Sequence, residues 1–298
     1  MSADAPDSLG ADPIGDLLAV LDLTETGART REDIFTAASQ WMPHGRVFGG
    51  QVLAQSVVAA SRTVPTERAI HSVHGYFLRP GALDAPITFA VDRIHDGRSF
   101  TTRRTQAYQG GLPIFSMIAS FQDADPGLDH QAALPEGLPD PESLPSAEEL
   151  IGHLPRELTA LWTASAFEQR HVPSPIWLSV EGERVAHQAV WTRARRELPD
   201  DPVLQRAAFA YASDFTILEP SLRRHGIPWA TPGLKIASLD HAMWWHRPGR
   251  ADEWWCYVQE APNAVGGRGL SFGRIFSRDG VLVASVAQEG MIRVPSPA

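Results

Sequence analysis

Three polar side chains stand where the surrounding sequence is apolar, and together their types could handle a water molecule. Asp214 lies in "AAFAYASDFTIL" (207–218), where Val203, Ala207 and Ala210 share its helical face and Phe209, Tyr211 and Phe215 occupy the flanks. A helix apolar on all sides is a buried helix, and an ionised carboxylate in it is costly unless hydrogen bonds hold it. Gln288 lies in "VLVASVAQEGMI" and Ser238 in "KIASLDHAMWW", both strand-like runs. A buried carboxylate, hydroxyl and carboxamide must find partners, either one another or a shared water. The pattern is compatible with a purely structural polar network, or with a carboxylate that draws a proton from a water held by the other two.

Other patterns are weaker. "GLSFG" (269–273) has the G-x-S-x-G form of a nucleophile elbow, but no histidine follows Ser271 and the next residues read as a hairpin rather than a helix. The adjacent Asp240 and His241 could act as acid and base in a hydratase. Neighbours on a strand face opposite ways, so both reach one site only if a bulge re-aims one of them. There is no metal-ligand spacing and a single cysteine, so neither a metal nor any other cofactor is expected. Gly49 and Gly50 precede an apolar helix, whose exposed N–H groups could take an acyl oxygen or a phosphate, although close packing explains glycines equally well.

Two helices and two sets of strands must position these groups. "HSVHGYFLRPG" (71–81) and "LDHAMWWHRPG" (239–249) end alike at an offset of 168, and the apolar strands from Gly111 and Gly280 repeat at 169. Each half has an apolar helix, Gly49–Ser61 in the first and one capped by Asp201 and Pro202 in the second. Strands are expected at His71–Arg79, Ile87–His95, Phe100–Gln109 and Leu112–Gln122, then at Lys235–Arg247, Glu253–Ala261, Arg268–Ser277 and Val281–Ile292. A further strand is expected before each helix, near Phe35–Met42 and Phe167–Val172. One buried helix wrapped by an antiparallel sheet, made twice, gives an α+β pseudo-dimer. Its expected units are 14–122 and 150–298, joined by an exposed linker at 123–149 that is rich in proline and acidic residues, with residues 1 to about 13 frayed. By the repeat offsets Ser238 corresponds to Ile70 and Gln288 to Ala119, so one active site per chain is expected, in the second half.

A net charge of −9 argues against a nucleic-acid or anionic-membrane surface, and an anionic ligand would need a local group of arginines. Arg79, Arg247 and Arg268, near strand ends, are the candidates. No apolar run approaches a membrane span, and the acidic N-terminus lacks the pattern of a signal peptide. Cys256, in "WWCYV", is expected to be a small core residue; with one cysteine and no leader, a cytoplasmic location is expected.

"GRVFGGQVLAQS", "HSVHGYFLRPG", "YASDF", "IASLDHAMWWHRPG" and "DGVLVASVAQEGMIR", in that order, resemble the type II acyl-CoA thioesterase family over residues 14 to 293. The resemblance implies a double hotdog fold, hydrolysis of acyl-CoA to a free acid and coenzyme A, and a catalytic trio at Asp214, Ser238 and Gln288, with serine where some relatives carry threonine. It implies an acyl-CoA partner and no stable membrane insertion, and it leaves homo-oligomers through the hotdog sheets open. A hotdog hydratase using Asp240 and His241, and a non-catalytic acyl-CoA-binding protein, are the alternatives.

Overall fold

The computed structural model describes residues 11–27, 32–43 and 45–295. The frayed start expected at 1–13 lies mostly outside them, and Pro13 already begins a helix. In chain order the first half comprises α1 (Pro13–Leu21), β1 (Thr24–Glu25), β2 (Glu32–Ala37), α2 (Gly49–Ser61), β3 (Ala69–Phe77), β4 (Ile87–Asp96), β5 (Phe100–Gln109) and β6 (Leu112–Gln122). The second comprises α3 (Ala147–Ile151), α4 (Arg156–Thr163), β7 (Phe167–Val172), β8 (His187–Ala194), α5 (Pro202–Ser213), α6 (Glu219–His225), β9 (Lys235–Ser238), β10 (Asp240–Trp245), β11 (Trp255–Val265), β12 (Arg268–Ser277) and β13 (Leu282–Arg293).

All these strands join one antiparallel sheet in the order β1-β2-β4-β5-β6-β3-β10-β13-β12-β11-β8-β7, with β9 on β13. The order reads the same from either end when the halves are exchanged, so the duplication seen in the sequence is a duplication of topology. The halves meet at β3 and β10, where Ala242 pairs with His74, the residue 168 positions earlier. The strand before α5 that answers β2 is therefore β8, which the sequence reading missed; β7 answers β1 at the sheet edge. The expected strand at 35–42 ends at Ala37.

Each half wraps its sheet round one helix. From Gly50 to Ala60, α2 is buried on every side, and its glutamines bond internally: Gln55 Nε2 donates to the Val20 carbonyl at 2.8 Å. α5 begins as expected, with Asp201 Oδ1 accepting from the Val203 N–H at 2.8 Å and Pro202 in the first turn. Its end differs from the expectation. Asp214 is not inside the helix but caps its C-terminus, with φ −84° and ψ −11°. Aromatic residues from both halves share the core around the helices, including the stacked Phe48 and Phe215, 4.5 Å between ring centres.

Two further departures matter for the site. The long strand expected over 235–247 breaks at Leu239, whose N–H bonds the Glu289 carbonyl and whose carbonyl accepts from the Phe77 N–H, both at 2.9 Å. Across the break the pairing with β13 slips: Ser238 pairs with Gly290 but Ala242 with Ala287, so four residues on one strand face three on the other. That is a β-bulge. The segment 123–149, expected to be a linker, is largely exposed, but α3 begins within it at Ala147 and it is tied to the second half: Trp191 Nε1 donates to the Pro139 carbonyl and Trp254 Nε1 to Glu142 Oε1, each at 3.0 Å. Cys256 is fully buried beside those tryptophans, and burial pushes its thiol up to about 12, so it is a core residue.

Candidate functional site

The bulge determines which side chains turn inward. Without it, residues three apart on a strand would face opposite ways. With the extra residue, Ser238 and His241 reach the same side, while Asp240 points away and its Oδ1 accepts from the Glu289 N–H at 2.7 Å. The structure thus separates the adjacent Asp240 and His241 and joins His241 to the other three groups.

Ser238 Oγ donates to Asp214 Oδ1 at 2.8 Å, Gln288 Nε2 donates to the same oxygen at 2.8 Å, and Gln288 Nε2 also donates to Ser238 Oγ at 2.9 Å. The three residues picked from the sequence form one closed hydrogen-bonded triangle. Asp214 is 9% exposed and Gln288 1%. Behind Gln288, its Oε1 accepts a short hydrogen bond from His241 Nδ1, and His241 Nε2 lies 3.1 Å from Ser213 Oγ. Ser271, of the rejected G-x-S-x-G pattern, is the cross-strand neighbour of Gln288; its buried Oγ has no partner among the described residues.

Helix ends bring the halves together here. The C-terminal end of a helix repels negative charge, so Asp214 sits unfavourably with respect to α5. The N-terminal end of α2 offsets this: the Gly50 N–H reaches the Asp214 carboxylate, and a Cβ on Gly49 would stand 2.5 Å from Asp214 Oδ2. A Cβ on Gly50 would meet the Tyr211 carbonyl oxygen at 2.3 Å. Both glycines are required by this close approach, and the Gly50 amide serves the carboxylate rather than an incoming phosphate.

Burial raises the Asp214 pKa above the usual carboxylate range, opposed by His241, by the donors Gln288 and Ser238, and by the Gly50 amide. Burial lowers the His241 pKa, opposed chiefly by Asp214. The site therefore pairs a carboxylate of increased basicity with a neutral imidazole, which suits proton abstraction from water. Oδ1 is filled by two donors, so the lone pairs of Oδ2, beside Gly49, are those that remain available.

The arginine candidates divide. Arg268, at the start of β12 and paired with Glu289 Oε1 at 3.0 Å, lies at the Ser238 end of the sheet but on its outer face, and Arg79, whose Nη1 donates to the Pro113 carbonyl at 2.8 Å, follows β3 at the same end. Arg247 follows the far end of β10 and is bound to Asp129. Lys235 and Arg293, not singled out in the sequence, pair at the exposed end of β9 and β13, three residues from Ser238 and Gly290. Their signal was only a basic residue at each strand end. Among the described residues no group of three or more His, Cys, Asp or Glu is gathered as for a metal ion.

A family model described as acyl-CoA thioesterase matches residues 163–291, and one described as acyl-CoA thioesterase N-terminal domain matches 37–122. The chain is 38% identical to human acyl-coenzyme A thioesterase 8, covering 95% of this chain and 92% of that one. It is 36% identical to acyl-CoA thioesterase 2 of Haemophilus influenzae, over 87% and 92% of the two. Among solved structures it resembles acyl-CoA thioesterase II TesB2 from Mycobacterium marinum, with TM-score 0.77, 42% identity, and 94% and 99% of the two chains covered. At 18% identity, a hot dog fold protein of Alicyclobacillus acidocaldarius matches with TM-score 0.76 over 94% of this chain and 98% of that one, which bears on the fold alone.

Proposed function

The chain belongs to the acyl-CoA thioesterase family, and from that premise we propose that it hydrolyses acyl-CoA to a carboxylic acid and coenzyme A by direct attack of water. The observation that carries this reading is the convergence of Ser238 and Gln288 on one oxygen of the buried Asp214. Asp214 Oδ2 takes a proton from the water as its oxygen adds to the thioester carbonyl carbon. Ser238 and Gln288 hold carboxylate and water in line with that carbon. The carbonyl oxygen, now negative, is assigned to the N-terminus of α2, with the Gly49 N–H as its donor. The carbon–sulfur bond then breaks, and the departing thiolate takes the proton from Asp214, which restores the carboxylate.

The coenzyme A phosphates are assigned to the basic strand ends at Lys235, Arg293, Arg268 and Arg79, with the acyl chain passing into the Phe-lined interior. The unit boundaries 14–122 and 150–298, a cytoplasmic location and homo-oligomers through the outer sheet face belong to the same proposal. Exposed Tyr76, Ile118 and Phe272 on that face support the last of these. Among the described residues no helix is long and apolar enough to cross a membrane.

A thiol-release assay across acyl chain lengths tests the activity. Asp214→Asn is expected to lower kcat by roughly 10²- to 10⁴-fold with KM little changed. Ser238→Ala and Gln288→Ala should each lower kcat in a protein that still melts cooperatively. Turnover of Asp214→Asn near the parent rate would remove the carboxylate from the reaction. Loss of enoyl-CoA absorbance without free thiol would indicate hydration instead, and saturable binding without turnover would indicate a carrier.

A further inference from the structure

We infer that His241 is a positioning residue, which fixes the way round the Gln288 carboxamide lies and so aims its NH₂ group at Asp214 and Ser238.

A carboxamide has two ends of similar shape and opposite hydrogen-bonding sense. Gln288 meets a carboxylate on one side and an imidazole on the other. Turned over, it would set Oε1 against Asp214 Oδ1, two acceptors in contact in a buried site, and Ser238 Oγ would lose the N–H it now receives. An N–H at His241 Nδ1 excludes that arrangement, because it requires an oxygen opposite. Gln288 is 1% exposed and His241 1%, so water does not substitute for the imidazole.

The second ring nitrogen has a partner suited to this task. Ser213 Oγ lies 3.1 Å from His241 Nε2 and 2.9 Å from the Ala210 carbonyl oxygen. The neutral imidazole keeps its proton on Nδ1, and Ser213 donates to Nε2. If the ring gains a second proton, Nε2–H donates to Ser213 Oγ and the serine hydroxyl turns to Ala210. Nδ1–H toward Gln288 is retained in both states, so rotation of one hydroxyl absorbs the change. The charged and titratable groups around the ring are Asp214, Asp240, which acts on it through space from the opposite face of the strand, and, through Ser213, Tyr257, whose hydroxyl donates to the Ser213 carbonyl at 3.2 Å. Ser213 immediately precedes Asp214 in the chain, so His241 also ties the end of α5 to the strand that carries Gln288. A core histidine with only a packing role would not need donors and acceptors arranged in this order.

The inference rests on the proposed function for its kinetic arm only. His241→Asn places an amide nitrogen where Nδ1 stands and keeps the donor to Gln288; His241→Leu removes it. His241→Leu is expected to lose about 10- to 100-fold in kcat at nearly constant KM, and His241→Asn to recover most of that loss. In the Gln288→Ala background His241→Leu should cost nothing further. Equal losses in the two His241 variants, or additive losses in the double variant, would overturn the assignment. The second arm needs no substrate: ¹⁵N NMR of the whole protein should show a protected Nδ1–H that is lost or strongly shifted in Gln288→Ala. A ring protonated only at Nε2 would refute the inference, whereas a parent protein that releases no thiol would refute the hydrolase reading and leave the tautomer result standing.

Discussion

Asp214 is held in the form that burial disfavours, and this has a measurable cost. Its folded-state pKa is raised above the unfolded value. The protonated acid is thus the better buried species: its stabilising contribution is complete below the unfolded-state pKa and is lost as pH rises through the folded-state one. Asp214→Asn, which keeps an oxygen for Ser238 and Gln288, is expected to melt higher than the parent at pH 7, by roughly 2–4 °C for each kcal/mol relieved. The gap should close as pH falls below the raised pKa, read by calorimetry across pH; a variant that melts lower throughout would contradict the strain. The same group sets the direction of the rate profile, since kcat should fall as Asp214 takes up its proton, at a higher pH than for an ordinary aspartate. At this scale the sequence was informative because burial logic singles out polar residues in apolar runs. Its limit was His241, whose inward direction depends on a one-residue slip that alternation alone does not reveal.

Between elements, the decisive contact joins the beginning of α2 to the end of α5, where amide dipoles of one helix offset the unfavourable end of the other. The approach leaves no room for side chains. Gly50→Ala would drive a methyl group to 2.3 Å from the Tyr211 carbonyl oxygen, a backbone atom that cannot swing aside. It is expected to cost about 1–3 kcal/mol in denaturant unfolding and to lower kcat at least tenfold, because separating the helices carries Asp214 away from its amide. An unchanged unfolding midpoint would show that the helices have slack. Hydrophobic patterning located both helices and most of the strands. It missed β8, because "HQAVWTRA" lies beyond an irregular stretch, and it merged β9 with β10, because a bulge inserts one residue without altering composition.

For the whole molecule, the net charge of −9 sets the problem of binding a polyphosphate ligand. The acidic groups cannot be neutralised overall, so attraction must be local, within about 8–10 Å of the basic strand ends at ordinary salt. Charge reversal at Lys235, Arg293, Arg268 or Arg79 should raise KM severalfold, with the effect fading as ionic strength increases, while Arg247→Glu, at the far end of β10, should leave KM unaltered. Unchanged KM for all four near the site would place the phosphates elsewhere. The duplicated architecture was legible from two repeated strand endings and an offset. The grouping of basic residues proposed for the phosphates was not, because strand ends far apart in sequence become neighbours only through pairing.

The first half supplies main chain to the proposed reaction centre: an amide that reaches the carboxylate and a neighbouring bare Cα. Backbone amides are unaffected by most codon changes, so this share of the apparatus is robust against nearly every side-chain substitution around it. The fragility is concentrated at Gly49 and Gly50, where the damage comes from the presence of any side chain at all rather than from its chemistry.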